Sequence, residues 1–144
     1  MLTTNQKGTI AETAIAHAAI KLGIGVYRSY GDERYDLIFD LRPRIVRVQC
    51  KSAPREGDVI VARLYSARRT ADGLLRRVYN ADEIDAFALY CPDTDQCYFL
   101  SVKDFERRNC VFLRLDATKN NQACGVNWAR DYEFGATLRP FVGP

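Results

Sequence analysis

The sequence predicts one mixed α/β domain, a central mixed sheet flanked by helices, spanning residues 1–144. Three observations predict it. Residues 10–22 carry apolar side chains at helical spacing. Residues 35–41 and 45–51 alternate as strands across a short turn, and residues 84–91 form the apolar run that a buried central strand needs.

Thr3 and Thr4 are suited to cap a helix over residues 6–22, with Ile10, Ala11, Ala14, Ile15, Ala18, Ala19 and Leu22 on its apolar side. Gly23 and Gly25 stop it, and residues 24–27 follow as a short strand. Gly31-Asp32-Glu33-Arg34 is a polar break, and Arg42-Pro43-Arg44 is the turn of an antiparallel hairpin. Burial requires the apolar faces of the two hairpin strands to coincide, which sets Leu37 opposite Val48 and Phe39 opposite Val46. The other face then brings Asp36 to Gln49, with Lys51 two residues further on and pointing the same way. A strand is expected over residues 58–65. Residues 66–80 are polar, arginine-rich and fit no regular element. Pro92-Asp93-Thr94-Asp95 turns the chain back after the central strand, and residues 96–102 return as its neighbour. A short helix over 103–108, a strand over 110–115 and a last short helix over 126–134 complete the domain.

A chain of 144 residues can bury a full core, and no segment approaches the ~20 apolar residues of a membrane span. Met1 to Lys7 lack an apolar signal core, so a cytoplasmic protein without a membrane partner is expected. The five cysteines, Cys50, Cys91, Cys97, Cys110 and Cys124, are odd in number, irregular in spacing and form no CxxC pair. Free buried thiols are expected, with Cys91 and Cys97 close enough in sequence to touch across a turn. His17, the only histidine, reads as a surface or packing residue.

The net charge is only +3, yet 16 of the 21 basic residues are arginine, the side chain that grips phosphate in a two-pronged way. Arg55, Arg63, Arg68, Arg69, Arg76 and Arg77 crowd one segment opposed only by Glu56, Asp58 and Asp72. Such a local concentration points to a nucleic-acid face, with Arg63, Arg68, Arg69, Arg76 and Arg77 as the phosphate contacts. A solvated arginine surface is the plain alternative.

The hairpin's polar face carries the chemistry. Asp36 offers a carboxylate, Gln49 an amide carbonyl and Cys50 a main-chain carbonyl, the oxygen donors that a hard cation such as Mg²⁺ takes. Lys51 adds a positive charge that could orient water or meet developing phosphate charge. Taken alone, the same residues could be an exposed strand face.

Tyr35-Asp36-Leu37-Ile38-Phe39-Asp40, a turn, and Val48-Gln49-Cys50-Lys51-Ser52 resemble the core of the PD-(D/E)xK nucleases, which pairs a metal-binding Asp with a (D/E)-x-K element on the next strand. Here Gln49 replaces the acid. Glu12 resembles the extra acid that many of these enzymes carry on their first helix. Asp85-Ala86-Phe87-Ala88-Leu89-Tyr90-Cys91-Pro92-Asp93, Cys97-Tyr98-Phe99-Leu100, Leu113-Arg114-Leu115, Lys119-Asn120-Asn121-Gln122 and Trp128-Ala129-Arg130-Asp131-Tyr132 are similar to the branch related to group I intron-encoded homing endonucleases. The resemblance covers roughly residues 5–134.

It implies a restriction-endonuclease-like core and a catalytic set of Glu12, Asp36, Gln49 and Lys51. Asp36, Gln49, the Cys50 carbonyl and Glu12 would hold Mg²⁺, for which Mn²⁺ could substitute. It implies hydrolysis of phosphodiester bonds in double-stranded DNA, at a specific site in the homing manner. One core of this size covers little duplex, so a homo-oligomer, dimer or tetramer, is expected. The alternatives are a structure-selective nuclease such as a Holliday-junction resolvase, and a DNA-binding protein that kept the fold and lost cleavage.

Overall fold

The computed structural model describes residues 1–106, 108–116 and 126–138, and of Arg68 the backbone only. Cys124 and the Lys119-Asn120-Asn121-Gln122 segment lie outside the described residues.

Helix α1 (Thr4–Lys21) begins at a reciprocal cap. Thr3 Oγ1 accepts the Gln6 N–H at 3.1 Å, and Gln6 Oε1 accepts the Thr3 N–H at 2.8 Å. Ala11, Ile15 and Ala19, each four residues apart, are fully buried. Two of the three are alanines, so the helix backbone lies close against the sheet beneath it.

The strands in chain order are β1 (Gly25–Arg28), β2 (Leu37–Asp40), β3 (Ile45–Ser52), β4 (Arg55–Glu56), β5 (Val59–Arg63), β6 (Tyr65–Thr70), β7 (Gly73–Val78), β8 (Ala86–Cys91), β9 (Gln96–Ser101) and β10 (Cys110–Arg114). They form a five-stranded sheet ordered β1-β2-β3-β8-β9, a three-stranded sheet ordered β10-β5-β4, and a two-stranded ribbon β6-β7. β3 and β8 run parallel and the other neighbours antiparallel, so the central sheet is mixed as expected. Leu37 pairs with Val48 and Phe39 with Val46, the register that burial demanded.

Each face of the central sheet has its own core. Leu37, Phe39, Val46, Val48, Ala86 and Ala88 pack toward Ile15 and Ala19 of α1. Phe87, Leu89 and Leu100 pack on the opposite side against Ile60, Ala62, Val111 and Leu113 of the three-stranded sheet. The long helix therefore covers one face and β-structure the other. Cys91 and Cys97 fall into different cores, on opposite faces of the sheet, and do not touch; the four described cysteines are free thiols.

Residues 66–80, which fit no element in the sequence, form most of the β6-β7 ribbon. Its turn closes at Gly73, whose φ of 120° is a conformation that favours glycine. Residues 71–77 are exposed, so neither ribbon strand carries a buried face to impose alternation. Of the helix expected over 103–108, the described residues show only a 3₁₀ turn, Val102–Asp104. The expected last helix is a 3₁₀ turn, Ala129–Tyr132, followed by the one-turn helix α2 (Phe134–Thr137).

Phe39 is fully buried between Phe99 and Phe134, with ring centroids at 6.4 and 6.1 Å. Phe39→Ala should cost about 3–5 kcal/mol in urea unfolding. Ile45→Ala, on the next strand but 54% exposed, should stay within about 0.5 kcal/mol of the parent. Equal losses at both positions would contradict this assignment of the core.

Candidate active site

The site forms where β2 begins and β3 nears its end. The Asp36 N–H donates to the Val48 carbonyl at 2.9 Å, extending the hairpin ladder by one residue. Asp36 Oδ2 in turn accepts the Cys50 N–H at 2.9 Å. These two bonds hold the carboxylate against the strand that carries Gln49 and Lys51. Burial raises the Asp36 pKa, an effect that the Cys50 N–H and the nearby Lys51 and Arg28 charges only partly offset. A cation bound at this carboxylate would remove that cost.

The orientation of the Gln49 amide follows from its surroundings. Its Nε2 faces the Arg34 carbonyl and Asp36 Oδ2, the latter at 3.3 Å, and its Oε1 accepts from the Tyr79 hydroxyl at 3.2 Å. Presenting Oε1 to a metal requires a turn of the amide. The Tyr79 hydroxyl can both donate and accept, so it can partner either end. Burial raises the Tyr79 pKa and keeps the hydroxyl protonated.

Lys51 Nζ donates to the Tyr65 carbonyl at 2.7 Å and lies 5.4 Å from the centre of the Tyr79 ring. Burial lowers its pKa, opposed by the Asp36 charge. Glu12 reaches the same region from α1. It pairs with Arg28 at 3.3 Å and shares with Asp36 a cleft also lined by Arg28, Ser29, Tyr30 and Gly31. The structure thus sets Asp36 beside Gln49 and Lys51, and places Glu12 in a cleft that Asp36 also lines but Gln49 and Lys51 do not.

The donors suit a hard cation: two carboxylates, one amide oxygen and the Cys50 carbonyl, which leaves the strand on the same edge as the N–H bound to Asp36. Among the described residues, no group of three or more His, Cys, Asp and Glu converges. The Cys50 thiol is pushed up by burial, then by the Asp36 and Glu12 charges, so it stays a neutral thiol beside the site.

The arginines divide. Arg68, Arg69, Arg76 and Arg77 all lie on the ribbon, with Arg68 paired to Leu75 and Arg69 to Leu74. Arg69 and Arg76 fall on one ribbon face by register, both exposed, and the Arg76 guanidinium stacks 4.7 Å from the Tyr65 ring centre. Arg77 turns to Glu83 at 2.8 Å. Arg63 belongs to the three-stranded sheet and pairs with Glu56 at 3.6 Å, so it stands apart from the ribbon.

Arg34, Tyr79 and Glu83 border the site and were not singled out from the sequence. Arg34 lies two residues before Asp36, in the polar break ahead of β2 and outside any strand, so no alternation assigned its side. Tyr79 and Glu83 come to the site only through the ribbon and the loop after it.

The PD-(D/E)XK endonuclease family model matches residues 2–135, and the chain belongs to that family. Among solved structures it is similar to the bacterial homing endonuclease I-Ssp6803I, at 25% identity and a TM-score of 0.74, over 95% of this chain and 93% of that one. No curated protein sequence matches it. No helix among the described residues is long and apolar enough to cross a membrane.

Asp36→Asn can keep an acceptor for the Cys50 N–H while removing the buried charge. Folding raises the pKa of Asp36, so its ionised form costs stability, and that cost grows as pH rises through the carboxylate range. The metal-free variant should therefore unfold at a temperature equal to or above the parent's at neutral pH. Calorimetry should show its affinity for Mg²⁺ or Mn²⁺ sharply reduced. Unchanged metal affinity would place the cation elsewhere.

Proposed function

We propose that this nuclease hydrolyses phosphodiester bonds in double-stranded DNA with Mg²⁺, for which Mn²⁺ can substitute, and that it cuts at a specific site. The observation that carries this reading is the convergence of Asp36, Gln49 and Lys51 on one face of the β2-β3 hairpin, held by the Asp36–Cys50 hydrogen bond. The likeness to a homing endonuclease over nearly the whole chain supports site-specific cleavage.

Asp36, Gln49 and the Cys50 carbonyl would hold the cation, with Glu12 assisting. The bound cation would polarise the scissile phosphate and lower the pKa of a water to make the nucleophile. Replacing a family acid by Gln49 removes one negative charge, so the site is suited to fewer or weaker cations than a two-acid hairpin. Lys51 meets the charge that grows on the phosphate oxygens as water attacks. Its Nζ has no carboxylate partner among the described salt bridges, and its bond to the Tyr65 carbonyl is one that a phosphate oxygen could replace.

The ribbon arginines grip the backbone. Arg69 and Arg76 are free of acidic partners among the described residues, while Arg63 and Arg77 are partly neutralised by Glu56 and Glu83. A rare site exceeds the reach of one such domain, so a homo-oligomer, dimer or tetramer, acting in the cytoplasm completes the proposal.

Lys51→Ala should abolish cleavage of duplex DNA in Mg²⁺ and leave the dissociation constant for that DNA nearly unchanged; full cleavage by this variant would remove Lys51 from the reaction. The substrate class is tested beside it with linear duplex and a four-way junction. Preference for the duplex is expected, and cutting confined to the junction would favour a structure-selective nuclease.

The log of the binding constant falls with log salt by about 0.9 per phosphate contact. Arg69→Ala combined with Arg76→Ala should therefore make that slope shallower by up to about 2 per protomer. An unchanged slope over four salt concentrations would mark these arginines as ordinary surface.

A further inference from the structure

Arg34 has no role in the chemistry above, yet its side chain joins several parts of the site. Nη1 donates to Ser66 Oγ at 2.9 Å and Nη2 to the Val78 carbonyl at 3.1 Å. Nε lies 3.0 Å from Glu83 Oε2, and the guanidinium stacks 3.7 Å over the Tyr79 ring. Its own main-chain carbonyl faces the Gln49 amide. The side chain is only 22% exposed, and Glu83, which it shares with Arg77, is 14% exposed.

These partners mark one place in the fold. Tyr65 and Val78 are the first paired residues of the ribbon, at its base. The Val78 carbonyl is held by Arg34 and the Tyr65 carbonyl by Lys51. Beyond this pair the ribbon runs out to exposed Leu74, Leu75, Arg69 and Arg76. The contacts that tie the ribbon's base to the catalytic face thus come from one arginine and from the lysine proposed to act at the phosphate.

We propose that Arg34 is a positioning residue. Its guanidinium locks the base of the β6-β7 ribbon onto the catalytic face, so that a ribbon seated on DNA sets where Lys51 stands. This rests on the nuclease reading above. The lock needs a planar fork, because donors on different nitrogens reach two ribbon strands while the plane lies on Tyr79. An ammonium group offers a point charge at the same place but cannot span Ser66, Val78 and Glu83 together. Half-buried at the ribbon's base and held by Glu83, Ser66 and the Val78 carbonyl, Arg34 is committed to these partners and not to phosphate. Its loss should therefore leave DNA binding alone and misplace the reacting groups.

The test measures single-turnover cleavage of saturating duplex that the parent enzyme cuts, with affinity and salt slope for the same duplex measured without Mg²⁺. Arg34→Lys and Arg34→Met should both cleave about 100-fold more slowly, the scale that a misplacement near 1 Å can cost, at parental affinity and slope. Ser66→Ala should lose less, and adding it to Arg34→Met should lose nothing further, because its hydroxyl acts through Arg34. Parental rates in Arg34→Lys would reduce the role to charge and overturn the lock. So would a rate that falls only in step with affinity or with the folded fraction in thermal unfolding. If Arg34→Met does not fold, Ser66→Ala decides, and a parental rate there overturns the proposal. A parent enzyme that cuts no DNA fails the nuclease reading and the lock together, whereas a cutting parent with equally fast Arg34 variants sinks the lock alone.

Discussion

The pairing of β2 with β3 is the constraint on which the site depends. Side chains alternate along a strand, so burying Leu37, Phe39, Val46 and Val48 beneath α1 leaves one register for the hairpin. The opposite face then has no freedom over what it brings together. Asp36 meets the end of β3, and its carboxylate satisfies the Cys50 N–H that has no strand partner beyond the start of β2. A slip of one residue would bury Asp36 and expose the core, so the apolar packing that stabilises the sheet also assembles the site.

That arrangement places opposite charges in a partly buried setting and strains each of them. Burial disfavours the ionised carboxylate of Asp36 and the ammonium of Lys51, and their mutual attraction offsets only part of this. Gln49 eases the strain, since a second carboxylate beside Asp36 would add repulsion without a metal. It does so at the expense of charge available to hold one.

The ribbon adds reach. It rises beside the candidate site at Tyr65 and Val78, and its outer half makes few demands on the core. Its anchoring is concentrated at the base, where Arg34, Glu83 and Tyr79 form a partly buried polar cluster between the ribbon and the site. Polar groups in such a setting are costly unless their partners are in place, so the cluster specifies one attachment of the ribbon.

The sequence by itself determined the long helix and the β2-β3 hairpin with its register, each resting on a local period, of about 3.6 or of 2, enforced by burial. That register puts Asp36, Gln49 and Lys51 on one face as candidates, and Glu12 joins them only through the resemblance to the PD-(D/E)xK core. The tertiary structure decided what lacked such a period. Residues 66–80 became a ribbon whose exposed faces leave no alternation to read. Val102–Asp104 and Ala129–Tyr132 became 3₁₀ turns and Phe134–Thr137 a single helical turn, with Val102, Phe105, Ala129 and Phe134 buried in the cores. The local acid count around the arginines missed Glu83, which comes from beyond that segment to meet Arg77 and Arg34. Glu83 meets Arg34, and Arg63 stands apart from the ribbon arginines, because the tertiary fold brings distant residues together while strand pairing sends near ones to different sheets.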